Sequence, residues 1–155
     1  RMMRYIILLT LLFPLALHAQ QHLGKSRQAL TDEMLQLSKK NPQSKAEFDN
    51  QRNRLLLTTK DSLGHTLYYE YGFDEQSGAC ITEMIKADCE SCIRNAMNRL
   101  LSYAAYEWKK INESQYVSRF EDYLLIEWQQ SGNDFSFTLI KTAWTRELYN
   151  LMKEK

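Results

Sequence analysis

The sequence predicts an α+β fold: one antiparallel sheet of about five strands with helices on one face, in the order α-β-β-β-α-β-β-α. Three observations carry this. Apolar residues recur at a spacing near four in an early, a middle and a final stretch. Between these the spacing changes to two, as at Leu67, Tyr69, Tyr71 and Phe73. The two-spaced runs are separated by short turns, which join antiparallel strands and leave no room for a parallel crossover. A single sheet with helices on one face buries all these stripes together.

The first 19 residues read "RMMRYIILLTLLFPLALHA". Arg1 and Arg4 flank the start, an apolar run extends from Tyr5 to Leu17, and the small residues Ala16 and Ala19 lead to Gln20. This is the pattern of a secretory signal peptide cleaved after Ala19. A membrane-anchored N-terminus is the competing reading, but the run falls short of the roughly 20 apolar residues of a spanning helix. Residues 20–155 then form a single α+β domain, secreted or periplasmic. Loss of Arg1 and Arg4 from the 20 basic residues leaves 18 against 19 acidic ones, a formal charge of −1. A nearly neutral domain has no electrostatic footprint for nucleic acid or for an anionic membrane.

Ser26 is suited to cap a first helix carrying Leu30, Met34 and Leu37, which Asn41-Pro42 ends. Ser44-Lys45-Ala46-Glu47 has the form of a capping box and predicts a short helical turn around Phe48. Strands are predicted over 52–60, 65–74 and 79–86, with turns at 61–64 and 75–78. Asp88 is then the cap of an amphipathic helix of about 23 residues, whose stripe runs Ile93, Met97, Leu100, Ala104, Trp108 and Ile111. The stretch "NESQYVSRFED" reads as a loop. Strands follow over 123–130 and 134–142, around Ser131-Gly132-Asn133. Trp144, Leu148, Leu151 and Met152 mark a short closing helix.

This order of elements resembles the secretion-chaperone-like α+β fold, whose members bind extended segments of other proteins and often dimerise. The resemblance covers the mature chain and lies in element order alone. It implies a protein or peptide partner, or a homodimer, for a small exported bacterial protein.

The sharpest motif is Cys89-Glu90-Ser91-Cys92, which precedes the central helix. Residues three apart on a helix are neighbours, so these thiols can bridge. Cys80 cannot easily join them, because the third strand separates it from Cys89 by roughly 25 Å and a bridge needs Cα atoms within about 7 Å. A helix N-terminus lowers a thiol's pKa, which favours redox chemistry. Against that, no proline follows Pro42, no βαβ crossover is present, and both cysteines share the apolar stripe. The reading taken is structural: core cysteines, with or without a local bridge. A zinc site lacks ligands at a recognised spacing, with only His22 and His65 left in the mature chain. Histidine-assisted hydrolysis would depend on His65 beside Asp61, a pair more often solvated in a turn. Glu70, Glu83 and Glu127 fall within strands, where carboxylates usually mark the wet face. No phosphate loop, nucleophile elbow or His-Glu-x-x-His is present, and no catalytic residue, cofactor or metal is expected.

The face of the sheet away from the helices is only partly polar. Leu56, Tyr68, Tyr123, Leu125 and Ile140 point there, and would form one apolar patch if their strands were adjacent. The expectation is therefore a non-enzymatic, protein- or peptide-binding or self-associating envelope module. The alternative is a thiol–disulfide enzyme using Cys89 and Cys92.

Overall fold

The computed structural model describes residues 22–154. The expected signal peptide and its cleavage site lie outside the described residues. Among those residues, no helix is long and apolar enough to cross a membrane.

Among the described residues the class is α+β with one antiparallel sheet, as expected, but the sheet has eight strands rather than about five. Helix α1 (Arg27–Lys40) is followed by β1 (Lys45–Asp49), β2 (Arg54–Lys60), β3 (Thr66–Phe73) and β4 (Cys80–Ala87). Helix α2 (Glu90–Leu101) is followed by β5 (Lys109–Asn112), β6 (Gln115–Val117), β7 (Leu124–Ser131) and β8 (Asp134–Lys141), and α3 (Arg146–Lys153) closes the chain. The sheet order is β1-β2-β3-β4-β8-β7-β6-β5. The fold is thus two units, each a helix and a four-stranded meander, joined edge to edge where β4 pairs with β8.

Ser26 caps α1 as expected, its hydroxyl accepting from the Ala29 amide at 3.1 Å. The predicted turn at 44–47 is instead β1. Its Ala46 and Phe48 pack on the core under α1, and Ser44 bonds the Thr59 hydroxyl rather than capping. Pairing along five positions of β2 outweighs one local capping box.

The predicted long helix stops at Leu101, 12 residues in. The backbone turns at Tyr103, passes through a short 3-10 turn and takes a left-handed conformation at Glu107, φ 49°. That reversal folds Tyr106 and Trp108 back, and Trp108 Nε1 donates to the Leu100 carbonyl at 3.1 Å. Burial of two aromatic rings there outweighs the continued helical stripe, since short helices draw their stability from packing. The residues released form the 3-10 turn and most of β5, and the stretch 112–122, expected as a loop, contains β6, which pairs with both β5 and β7.

Parity along the strands separates two faces. Leu55, Tyr71, Glu83, Leu139 and Ile126 lie in register across five strands on one face. Beside them run Leu57, Tyr69, Ile85 and Phe137. Helices α1 and α2 both cover this face. Leu30 and Met34 sit on Leu55, Leu57 and Tyr71, while Ile93, Met97 and Leu100 sit on Ile126, Phe137 and Leu139. Helix α3 breaks the expectation of helices on one face. Its Tyr149, with Trp144, packs on Val117 and Leu125, which point away from Leu124 and Ile126. The Tyr149 hydroxyl anchors it, donating to the buried Ser118 carbonyl at 2.7 Å. The phase of α3 follows: Leu148 and Leu151, expected to face inward, are 51% and 63% exposed.

Candidate functional site

Two places concentrate unusual chemistry: the mouth of α2 and the groove between α1 and α2.

At the mouth of α2, Cys89 and Cys92 form a disulfide, with Cα atoms 5.3 Å apart. Cys89, not Asp88, caps the helix: the Cys92 amide donates to Cys89 Sγ at 3.2 Å. Both cysteines are half-buried, at the margin of the core rather than inside it. Cys80 stands apart as a free, fully buried thiol, as its distance along the strand required. Burial, and then the negative charge of Glu83, push its pKa up to about 12, so it is chemically quiet.

The β2–β3 turn reaches over to this disulfide. Asp61 Oδ1 accepts from the amides of Leu63 and His65, at 2.9 and 2.8 Å, and the Asp61 amide donates to the His65 carbonyl. Gly64 takes a left-handed φ of 84° that closes the turn. With Oδ1 committed to the turn, Asp61 Oδ2 lies 3.9 Å from Cys92 Sγ. A ring nitrogen of His65 and the two sulfurs lie within 4.8 Å of one another. The sequence placed Asp61 and His65 together but gave no sign that 24 or more residues later the chain returns to them. Only the β3–β4 pairing brings the end of β4 beside the turn that precedes β3.

The groove lies over the seam of the two units and has a volume of about 840 Å³. Its floor is the register row Leu57, Tyr69, Ile85 and Phe137, with Tyr71 and Glu83 beside it. Met34 and Leu37 of α1 form one wall; Ala96 and Leu100 of α2 form the other. Leu37, expected in the core, is 45% exposed because it stands on this wall. Lys40 and Arg99 stand among the lining residues.

Glu83 corrects the expectation of a wet-face carboxylate. It is 4% exposed and points under the helices, while Glu70 and Glu127 lie on the opposite face. Its parity with Ile85 and Ala87 was the available signal. His22 packs its ring edge on Tyr71 and places Nδ1 3.4 Å from Glu83 Oε1. Burial, and then the Glu83 charge, raise the pKa of Tyr69 and, more strongly, that of Tyr71. Both phenols therefore remain neutral hydrogen-bonding groups in the groove.

The five residues of the expected open-face patch are not brought together. Ile140 and Leu125 are directly paired, and Leu125 packs in the cluster under α3. Tyr123 stacks on Trp144, 6.1 Å between ring centroids, in the same cluster. Leu56 and Tyr68 lie in the other unit, two or more strands away. Between the two groups stand Arg54, which crosses Gly72 to bond Thr82, and Glu70, paired with Arg52. Lys86 covers the Tyr68 ring.

No protein family, characterised protein or solved structure matches the chain.

Proposed function

We propose that the chain is an exported, non-enzymatic binding module whose ligand lies in the groove between α1 and α2. The ligand has an apolar chain and a cationic or hydrogen-bond-donating head, carried by a small molecule or by a peptide side chain. One observation carries this reading: a groove of about 840 Å³ with an apolar floor and walls holds a buried carboxylate, Glu83, at its base. Small-molecule sites have this size and this balance of apolar wall and few polar groups. The apolar chain would lie on Leu57, Ile85 and Phe137, and the head would face Glu83, Tyr69 and Tyr71.

Titration with decylamine, decanoate and a leucine-rich hexapeptide with one lysine tests it. The amine or the peptide should bind better than decanoate, and whichever binds identifies the source of the ligand. Glu83→Gln should reduce the preference for the amine about tenfold, as loss of a charge-assisted contact does. Ala96→Leu, which narrows the groove, should weaken both. Absence of binding by amine and peptide alike overturns the reading.

The second reading, a thiol–disulfide enzyme, is favoured by the half-exposed Cys89–Cys92 bridge at a helix N-terminus. It requires turnover of a disulfide substrate that Cys89→Ser abolishes.

A further inference from the structure

We infer that Asp61, His65, Cys89 and Cys92 form a redox-gated site for a thiophilic divalent cation of the zinc class. The site is closed while the disulfide stands and opens on its reduction. It is separate from the groove and does not depend on how the groove is used.

Four groups converge from two elements, in the pattern Asp-x3-His and Cys-x2-Cys. Tetrahedral zinc bonds sulfur at about 2.3 Å and nitrogen or oxygen at about 2.0–2.2 Å, so its ligand atoms sit roughly 3.3–3.8 Å apart. The His65 nitrogen and the two sulfurs already lie within 4.8 Å of one another, and Asp61 Oδ2 lies 3.9 Å from Cys92 Sγ. Freed sulfurs that move apart, with a shift of about 1 Å in the turn, bring the His65 nitrogen and both sulfurs into this range, and Asp61 Oδ2, beside Cys92 Sγ, is placed to turn in as the fourth ligand.

The surroundings favour the cation-binding form. Asp61 Oδ1 is held by two turn amides, which fixes the carboxylate while Oδ2 faces Cys92 Sγ. The Cys92 amide points at Cys89 Sγ, and the Ser91 hydroxyl lies 3.3 Å from it. Those donors and the N-terminus of a 12-residue helix stabilise thiolate. His65, Cys89 and Cys92 are each half-buried, which leaves the site reachable. Cys80 takes no part, since it is buried in the core under α1.

The chemistry balances with a dithiol as the reductant. The Cys89–Cys92 bond accepts two electrons and two protons, and the dithiol leaves as its own disulfide. The cation then displaces both thiol protons, binding two thiolates, a neutral imidazole nitrogen and the Asp61 carboxylate. Reoxidation by a small-molecule disulfide, which takes up the two electrons with two protons and leaves as its dithiol, re-forms the Cys89–Cys92 bond and ejects the cation.

Cobalt(II) titration of the mature chain tests this, because cobalt bound tetrahedrally by thiolate has distinctive charge-transfer and d–d absorption. The chain is reduced with a phosphine, desalted without oxygen and titrated beside the oxidised chain. One equivalent should bind to the reduced chain and none to the oxidised one, with zinc displacing the cobalt. Cys80→Ser should bind as the wild type does. Cys89→Ser should abolish the thiolate spectrum. His65→Ala and Asp61→Asn should each weaken binding by at least about 10-fold, since loss even of a group that only supports a ligand costs about 10–100-fold. Circular dichroism of each variant separates loss of the site from loss of the fold. If the reduced, folded wild type takes up no cobalt, the inference fails. It fails equally if His65→Ala and Asp61→Asn both bind as tightly as the wild type, which would leave only two adjacent thiols.

Discussion

The two α-β4 units are built alike and finished differently. The first has strands of 5, 7, 8 and 8 residues; the second has strands of 4, 3, 8 and 8. Each places its helix on the same face of the sheet. Among the described residues, only the second has its opposite face covered, where α3 lays Trp144 and Tyr149 over Val117 and Leu125. The first leaves its opposite face to charged pairs, Arg52 with Glu70 and Lys86 over Tyr68. The difference shows how a sheet resolves a face that alternation leaves half apolar. Short outer strands need a helix to bury them, whereas longer ones can be screened by charged side chains lying across the sheet.

The largest effect should come from the element common to both units, the helix on the shared face. Leu100→Ala opens the core of the second unit beside Phe137 and Leu139, and should cost about 2–5 kcal/mol in denaturant unfolding. Arg99→Ala, one position away and exposed, should cost less than about 0.5 kcal/mol. Equal losses would mean that α2 is not the packing element of its unit.

A smaller effect should separate the opposite faces. From alternation alone, Leu125→Lys would leave monomer stability unchanged and weaken association. With Leu125 packed under α3, it should instead cost roughly 1–3 kcal/mol, moderated by the reach of a lysine stem to solvent. Tyr68→Ala, on the bare face of the first unit and 45% exposed, should change stability by less than about 0.5 kcal/mol. Thermal unfolding of the two variants makes the comparison, and a stable Leu125→Lys would erase the distinction between the faces.

The smallest effect at ordinary pH concerns the first unit, which holds Cys80, Tyr69 and Tyr71 around Glu83. All three have raised pKa values, with burial the first cause and the Glu83 charge the second. Between the ordinary thiol value of 9.0 and the folded value of about 12, the unfolded chain loses the Cys80 proton while the folded chain keeps it. Stability is therefore fully present below about pH 9 and falls as pH rises through this window. Tyr69 and Tyr71 add to the fall above their ordinary value of 10.0. Urea midpoints from pH 8 to 11 should show the decline, and Cys80→Ala should reduce its slope. A slope unchanged by that substitution would place the alkaline sensitivity elsewhere.

Much of the fold was legible because it is local. Alternation at Leu67, Tyr69, Tyr71 and Phe73, the turns at 61–64 and 75–78 on either side of it, and the hairpin around Gly132 marked five of the eight strands to within a few residues. Ser26 marked the start of α1. The misreadings share a cause. In "KAEFD" a local capping box competed with pairing to β2, and at Trp108 a helical stripe competed with an aromatic contact back to Leu100. In both, a distant partner decided. The groove was not legible, because an inward-facing Glu83 looks like an ordinary strand carboxylate until helices are seen to cover that face.

The sequence by itself determined the alternation of faces, the helix cap at Ser26, the reach of Cys89 to Cys92, and the isolation of Cys80. These depend on geometry within a few residues, or on the fixed rise of a strand. Tertiary structure alone decided that β4 pairs with β8, that α3 takes the opposite face, and that Asp61 and His65 meet the disulfide. Each joins segments far apart in the chain, and the free energy that selects it comes from area buried between surfaces that no local pattern encodes.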